Sequence, residues 1–320
     1  MKPIRFIPDG TKIPFMGSRI WSFPLSSLLI VASLALYFTF NLNFGIDFKG
    51  GTLIEIKTAE EVADLGSIRS SLNALDLGDV EVQEFGAPND VLIRVQTQDA
   101  TEEHSHEEAQ QNVVDLVKET LGDSIEYRRV EVVGPRVSGE LASAGTISVL
   151  SALFAVLVYI WFRFEWQFAL GAVIATVHDV ILTIGVFAFL QMEFNLTTIA
   201  ALLTIVGYSL NDTVVVYDRI RENLRKYKKK PLTEILDLSI NQTLSRTILT
   251  SGTTLLALGS LYFLGGEVIR SFTFAMIWGI FVGTYSSIFI AAPLLIFLNL
   301  RADQLEVKED TDEAGNVTAS

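Results

Sequence analysis

Apolar residues fall along this chain in two patterns. In some stretches they run almost unbroken for about twenty residues, the length needed for a helix to cross a hydrocarbon core. In others they alternate with polar residues, or return every third or fourth position. The unbroken runs cover residues 24–42, 142–162, 168–190, 197–217, 247–266 and 271–300. Four of them carry no charge. The run 168–190 holds one His-Asp pair, and 197–217 holds one aspartate. The pattern predicts six transmembrane helices, at 24–42, 142–162, 168–190, 197–217, 246–266 and 271–300. The first run starts late and lacks a small-residue cleavage site, which argues against a removable signal peptide.

Residues 43–141, between the first and second runs, show the second pattern. Residues 51–57 (GTLIEIK) alternate as a strand. Over 61–75, Val62, Leu65, Ile68, Leu72 and Leu75 recur at helical spacing. Residues 80–85 and 91–95 alternate again, separated by Gly86-Ala87-Pro88-Asn89-Asp90, a turn by composition. Residues 109–121 read as a helix with Val113, Leu116 and Val117 apolar, and 124–133 as a last strand. The order βαββαβ is the ferredoxin-like pattern, with two helices on one face of a four-stranded sheet. The other face is expected to be free for a partner. The fold class predicted is therefore an α-helical membrane protein with a small α+β domain between its first two helices.

Composition sharpens this division. Half of the 320 residues are hydrophobic and the formal net charge is −13. Mean hydropathy is +0.40. Residues 45–140 contain 8 basic and 21 acidic groups, and the remainder 16 of each, so the whole excess lies in the insert. An ordinary soluble globule, a disordered chain and a nucleic-acid binder are poor fits to that segregation. There is no cysteine, hence no disulfide framework or thiolate chemistry. Lys and Arg in short loops set orientation. Lys2, Arg5, Lys12 and Arg19 precede the first helix. Arg219, Arg221, Arg225, Lys226, Lys228, Lys229 and Lys230 lie between the fourth and fifth. The expectation is a cytoplasmic N-terminus (1–23), a basic cytoplasmic loop (218–245), a disordered cytoplasmic tail (301–320) and an external insert. The basic loop reads first as a topology signal with some attraction to anionic lipid.

Candidate chemistry lies in the apolar runs, where an Asp costs roughly 2.5–3.5 kcal/mol by insertion scales. His178-Asp179 sits mid-run. It reads equally as a proton-relay pair and as a polar knot fixing helix register. Adjacent positions diverge by about 100°, so the two are not expected to meet one partner helix. Asp212 follows Ser209 at helical spacing. Asp218, Arg219 and Glu222 beyond it read as an interfacial salt-bridge girdle. Arg246 opens a hydroxyl stripe with Thr250, Thr253 and Thr254. It either snorkels to the interface or pairs with Asp212, and such a pair can act as a proton switch. In the insert, His104 and His106 lie among Glu102, Glu103, Glu107 and Glu108. That cluster reads as a solvated helix start rather than a metal site, since alternate helix positions do not face one way. No nucleophile–base constellation or Gly-rich phosphate loop appears, so nothing points to an enzyme or a cofactor. A paired-aspartate protease built on Asp179 and Asp212 lacks the local motifs of that class.

Several blocks resemble a known family. They are Gly45-Ile46-Asp47-Phe48-Lys49-Gly50-Gly51, Val133-Gly134-Pro135-Arg136-Val137-Ser138, Val177-His178-Asp179, and the stretches 207–223 (GYSLNDTVVVYDRIREN), 239–254 (SINQTLSRTILTSGTT) and 283–295 (GTYSSIFIAAPLL). In order and depth they resemble the SecD/SecF family of bacterial protein-export subunits, and within it the SecF type, related to the RND superfamily. The resemblance covers nearly the whole chain. It implies an inner-membrane protein with both termini cytoplasmic, a periplasmic insert, and half of an RND-like unit. Implied partners are SecD, the SecYEG channel, YajC and YidC, and the translocating preprotein, with no nucleic acid. The implied activity is use of the proton motive force to assist late steps of translocation, with Asp212 and Arg246 at the proton-coupling positions. Gly45, Asp47, Phe48, Gly50 and Gly51 would link the first helix to the insert. Gly50 and Gly51 suit a tight turn or hinge, and Gly134-Pro135 would be a second hinge. Lys49 stands in a slot where a small polar residue is common. A fused SecD–SecF chain would need about twelve helices, so a separate membrane partner is expected. Half of an RND-type exporter and a translocon scaffold that conducts no protons are the competing readings.

Overall fold

The computed structural model describes residue 8 and residues 11–97, 106–122 and 125–300. In chain order, helix α1 (Arg19–Phe40) leads through strand β1 (Asn43–Phe44) and the one-turn helix α2 (Ile46–Lys49) into the insert. The insert consists of β2 (Gly51–Lys57), α3 (Leu65–Asn73), β3 (Val80–Phe85), β4 (Ala87–Val95), α4 (His106–Leu121) and β5 (Glu126–Val133). Helices α5 (Pro135–Arg163) and α6 (Trp166–Leu190) follow, then strand β6 (Glu193–Phe194), α7 (Leu196–Lys226) and α8 (Leu232–Leu264). The last span is α9 (Arg270–Ser286), a π turn (Ser287–Ala291) and α10 (Ala292–Phe297).

Among the described residues, six helical spans are long and apolar enough to cross a membrane. Each starts before its apolar stretch, and α7 runs on beyond it to Lys226. The loop expected at 218–245 is mostly helical, because only residues 227–231 separate α7 from α8. Asn223 explains the extension. Its buried amide donates to Ser239 Oγ at 2.9 Å and Gln242 Oε1 at 2.8 Å, while Leu224, Ile235, Leu236 and Ile240 form an apolar seam between the two helices. Helices α6, α7 and α9 pack on one another at the centre. Helix α1 lies against α6, α5 against α6 and α7, and α8 against α7 and α9.

The insert has sheet order β3-β4-β2-β5, antiparallel throughout, the ferredoxin-like arrangement. Ile54, Ile56, Ile93 and Val95 on one face meet Ile68 and Leu72 of α3 and Val113 and Val117 of α4. Three details depart from the pattern reading. Helix α3 starts at Leu65 because Asp64 caps it, accepting from Ser67 N at 3.0 Å, which leaves Val62 outside the helix and exposed. In α4, Val114 is buried and Leu116 is 39% exposed. The β3–β4 turn is Gly86 alone, at φ +88°, and β4 begins at Ala87. Pro88 is tolerated there because the β3–β4 register shifts between Glu84 and Phe85, which leaves Pro88 without a ladder partner; the Pro88 and Asn89 carbonyls accept instead from Ala63 and Thr58.

The second sheet face is not free. Ile46 of α2 packs on Leu53 and Leu92, and Phe85 and Val133 adjoin them. Strand β2 is consequently buried on both faces over Gly51–Ile56. Around this patch lie Arg94, bonded to Glu81 at 2.9 Å, and Glu55, 3.6 Å from Arg129.

Candidate functional site: buried polar groups between the long helices

Asp179 of α6 is fully buried at the bundle centre. Ser209 Oγ of α7 donates to its Oδ2 at 2.6 Å, and Ser286 Oγ of α9 donates to the same oxygen at 2.7 Å. His178 Nδ1 is hydrogen-bonded to Oδ1 at 2.9 Å. One carboxylate thus ties together the three central helices. The other side of the His178 ring stacks on Tyr285, with centroids 6.2 Å apart, while Nε2 has no hydrogen-bond partner. His178 and Asp179 therefore both meet α9, against expectation. Tyr285 and Ser286 are themselves adjacent, so the two pairs straddle a single helix crossing. Tyr285 also shares a 3.0 Å hydrogen bond with Ser26 of α1. The π turn starts directly after Ser286. Such bulges are frequent at functional sites.

Asp212 lies one turn beyond Ser209 on α7 and is 4% exposed. Its Oδ2 has no hydrogen-bond partner. Arg246 of α8 is exposed. It acts on Asp212 through its field, and no ion pair within 4 Å joins these two described residues. The direct pairing considered from spacing is thus absent in this arrangement. The threonine stripe beyond Arg246 is turned inward on its own helix. Thr250, Thr253 and Thr254 donate to the carbonyls of Arg246, Leu249 and Thr250 at 2.8–3.0 Å. This back-bonding satisfies hydroxyls in a medium that offers them nothing. At the basic end of α7, Asp218 pairs with Arg163 of α5 at 2.9 Å and Glu222 with Arg219.

The glycine block forms a joint between the bundle and the insert. Strand β1 pairs in parallel with β6, Asn43 to Glu193 and Phe44 to Phe194, and Gly45 N donates to Phe194 O at 2.9 Å. Phe44, Phe48 and Phe194 contact one another edge-on or tilted, at 5.9–6.0 Å. Asp47 Oδ2 accepts from Leu196 N, the first residue of α7, at 2.8 Å. Gly50 and Gly51 turn the chain into β2 with φ of +73° and +113°. A Cβ on Gly51 would run into the Val95 carbonyl, so the turn demands glycine. Gly134, by contrast, is extended, at φ −71° and ψ 155°. It caps α5, with Pro135 at the first helical position, a rigid start for that helix.

Some of these groups could not be read from the chain. Glu193 stands in no motif; Tyr285 and Ser286 lie in the block 283–295, but that block does not name their partners, and each acquires its role from a residue far away in sequence. His104 and the C-terminal tail lie outside the described residues, as does the side chain of His106. Among the described residues no cluster of three or more His, Asp or Glu could hold a metal ion.

Comparison with known proteins bears on this geometry. Residues 112–301 match the family described as protein export membrane protein SecD/SecF, C-terminal, and residues 38–62 match the SecD/SecF GG motif. The chain is 48% identical over 303 residues to protein translocase subunit SecF of Cereibacter sphaeroides, covering 93% of each. To the protein of that name from Rhodobacter capsulatus it is 46% identical over 320 residues, covering 97% of this chain and 96% of that one. Among solved structures it is similar to SecDF, a translocon-associated membrane protein from Thermus thermophilus. The TM-score is 0.76 and the identity 35%, over 91% of this chain and 39% of that one. SecDF in its super-membrane-facing form gives a TM-score of 0.67 at 34% identity, over 98% and 41%. The chain thus spans about two fifths of those SecDF chains and nearly all of the curated relatives. With relatives matched over 93–97% of the chain and the same fold recovered at 35% identity, the chain belongs to the SecD/SecF family of protein-export membrane proteins.

Proposed function

We propose that this protein is the SecF-type half of a proton-driven protein-export assembly in the bacterial inner membrane. It works beside a SecD-type half and the SecYEG channel on translocating preproteins. The observation that carries this reading is Asp212: a buried carboxylate with an oxygen lacking any hydrogen bond, at membrane depth, within the field of one exposed arginine. Protonation cancels that attraction and frees α7 to move relative to α8. A charge moved across the membrane field gains about 2.3 kcal/mol per 100 mV, sufficient for a modest conformational step.

The partner's place is supported by the outer surface of α5, α7 and α8. Ser151, Asn211 and Arg246 face outward there, within or beside apolar stretches. Polar groups facing lipid are costly, so a second set of helices is the fitting cover. The solved SecDF chains extend well beyond the part this chain matches, leaving room for such a half. The basic stretch at the α7–α8 connection supports cytoplasmic termini and a periplasmic insert.

The test is preprotein export in cells whose sole copy carries Asp212→Asn, with membrane level and partner association checked. The expected outcome is normal assembly with export that no longer depends on the proton motive force. Unchanged export with unchanged proton dependence would make Asp212 a packing group and favour a non-conducting scaffold.

A further inference from the structure

We infer that Asp47 is a positioning residue that latches the insert domain onto the head of α7, so that displacement of that helix is delivered to the domain. This inference rests on the proton-coupled reading of α7. The first N–H groups of any helix have no partner within it. In α7, Asn195 supplies one of them by accepting from Thr198 N at 3.1 Å. The N–H of Leu196 is taken by Asp47, which lies 149 residues away in sequence at the base of the insert. A carboxylate at a helix N-terminus is also favoured by the helix dipole.

Asp47 moves with the sheet. Its neighbour Ile46 is 3% exposed and packs on Leu53 and Leu92, and Gly50-Gly51 turns α2 directly into β2. Two further contacts converge on the same head. Arg94 Nη2 of β4 lies 3.1 Å from Glu193 Oε2, and Gly45 donates to Phe194 O at 2.9 Å. Gly45 allows that approach: a Cβ there would come within 2.5 Å of Glu193 Oε1 and 3.2 Å of Asn195 Cβ. All three contacts end on residues 193–196. Asp212 lies sixteen positions along the same helix, about 24 Å at 1.5 Å per residue. Ser209, bonded to Asp179, lies between them. A rigid helix thus runs from the buried carboxylates to the latch. The glycine block acts as a fastened joint that passes motion on, in place of a free hinge that would absorb it.

The chain has no cysteine, so labels placed on it meet no background from its own sequence. Glu84→Cys on β3 and Lys229→Cys after α7 are both at exposed positions and report the domain relative to the bundle. Phe162→Cys with Lys229→Cys reports the bundle alone. Pulsed-dipolar distances are measured on the full chain, with its co-purified partners, in proteoliposomes with and without a proton gradient. In the parent, both pairs shift on energisation. In Asp47→Ala the bundle pair still shifts, the domain pair loses most of its shift, and its resting distribution roughly doubles in width as the Leu196 N–H loses its acceptor. Asp47→Asn keeps an acceptor oxygen and falls between. If the Asp47→Ala domain pair shifts as fully and stays as narrow as the parent, the latch is overturned while the proton-coupled reading stands. If the parent bundle pair does not respond, the proton-coupled reading fails. The resting width then decides: widening in Asp47→Ala upholds the latch, and an unchanged width overturns it.

Discussion

In the insert domain, Ile54, Ile93 and Val95 are fully buried and charged residues cover much of the outside. In the long-helix bundle, Asp179, Ser209 and Ser286 are buried at the centre, while Leu28, Phe154 and Leu256 face outward. The two surroundings differ in what they reward. Water expels apolar surface, at about 25 cal/mol per Å², so the insert hides its aliphatic side chains. Hydrocarbon does not penalise an outward Leu, so helix association there rests on close packing and polar contacts. A buried Ile in the insert therefore says little beyond fold. A buried Asp in the bundle marks either a structural knot or a working group.

Three substitutions test this contrast. The largest effect is expected from Ile93→Ala, at the middle of the central strand β4 and fully buried. A cavity there should cost about 2–5 kcal/mol. Hydrogen exchange on the full chain in bicelles should show β2–β5 losing protection while α6, α7 and α9 keep theirs. Equal loss in both regions would mean that the two cores unfold as one unit. Asp179→Ala comes second. It strips His178, Ser209 and Ser286 of their common acceptor, and buried polar groups left without partners cost roughly 1–3 kcal/mol. Unfolding of the bundle in mixed micelles measures this, with Asp179→Asn expected to lose less because it retains an acceptor oxygen. A loss below about 0.5 kcal/mol would remove the knot from the account of bundle stability. The smallest effect belongs to Leu28→Ala on α1, where the side chain is 65% exposed. The same unfolding measurement should change by no more than about 0.5 kcal/mol. A cost like that of Ile93→Ala in the assembled complex would show that another protein, and not lipid, covers this face.

The βαββαβ order was legible because each element of the insert carries its own period. Its boundaries were less so. The start of α3 was decided by one cap at Asp64, and the hairpin by the positive φ of Gly86, where composition pointed to five turn residues. The helical continuation of α7 and α8 escaped detection because polar stretches packed against each other do not look apolar in a linear window. Asp179 and Asp212 stood out from their apolar runs. What Asp179 bonds to did not, since Ser286 is 107 residues away.

Length and composition alone determined that six segments of this chain prefer hydrocarbon and that one acidic insert prefers water. Those are local free energies, summed over neighbouring residues, and need no knowledge of the fold. The glycine block could likewise be recognised as a place of unusual backbone, because only glycine takes those dihedrals cheaply. Only the tertiary structure decided that Asp47 caps α7, that Arg94 reaches Glu193, and that Asp179 binds two serines on two other helices. A hydrogen bond acts over about 3 Å. Whether two groups come that close depends on how whole helices and sheets pack, and no pattern along the chain records that distance.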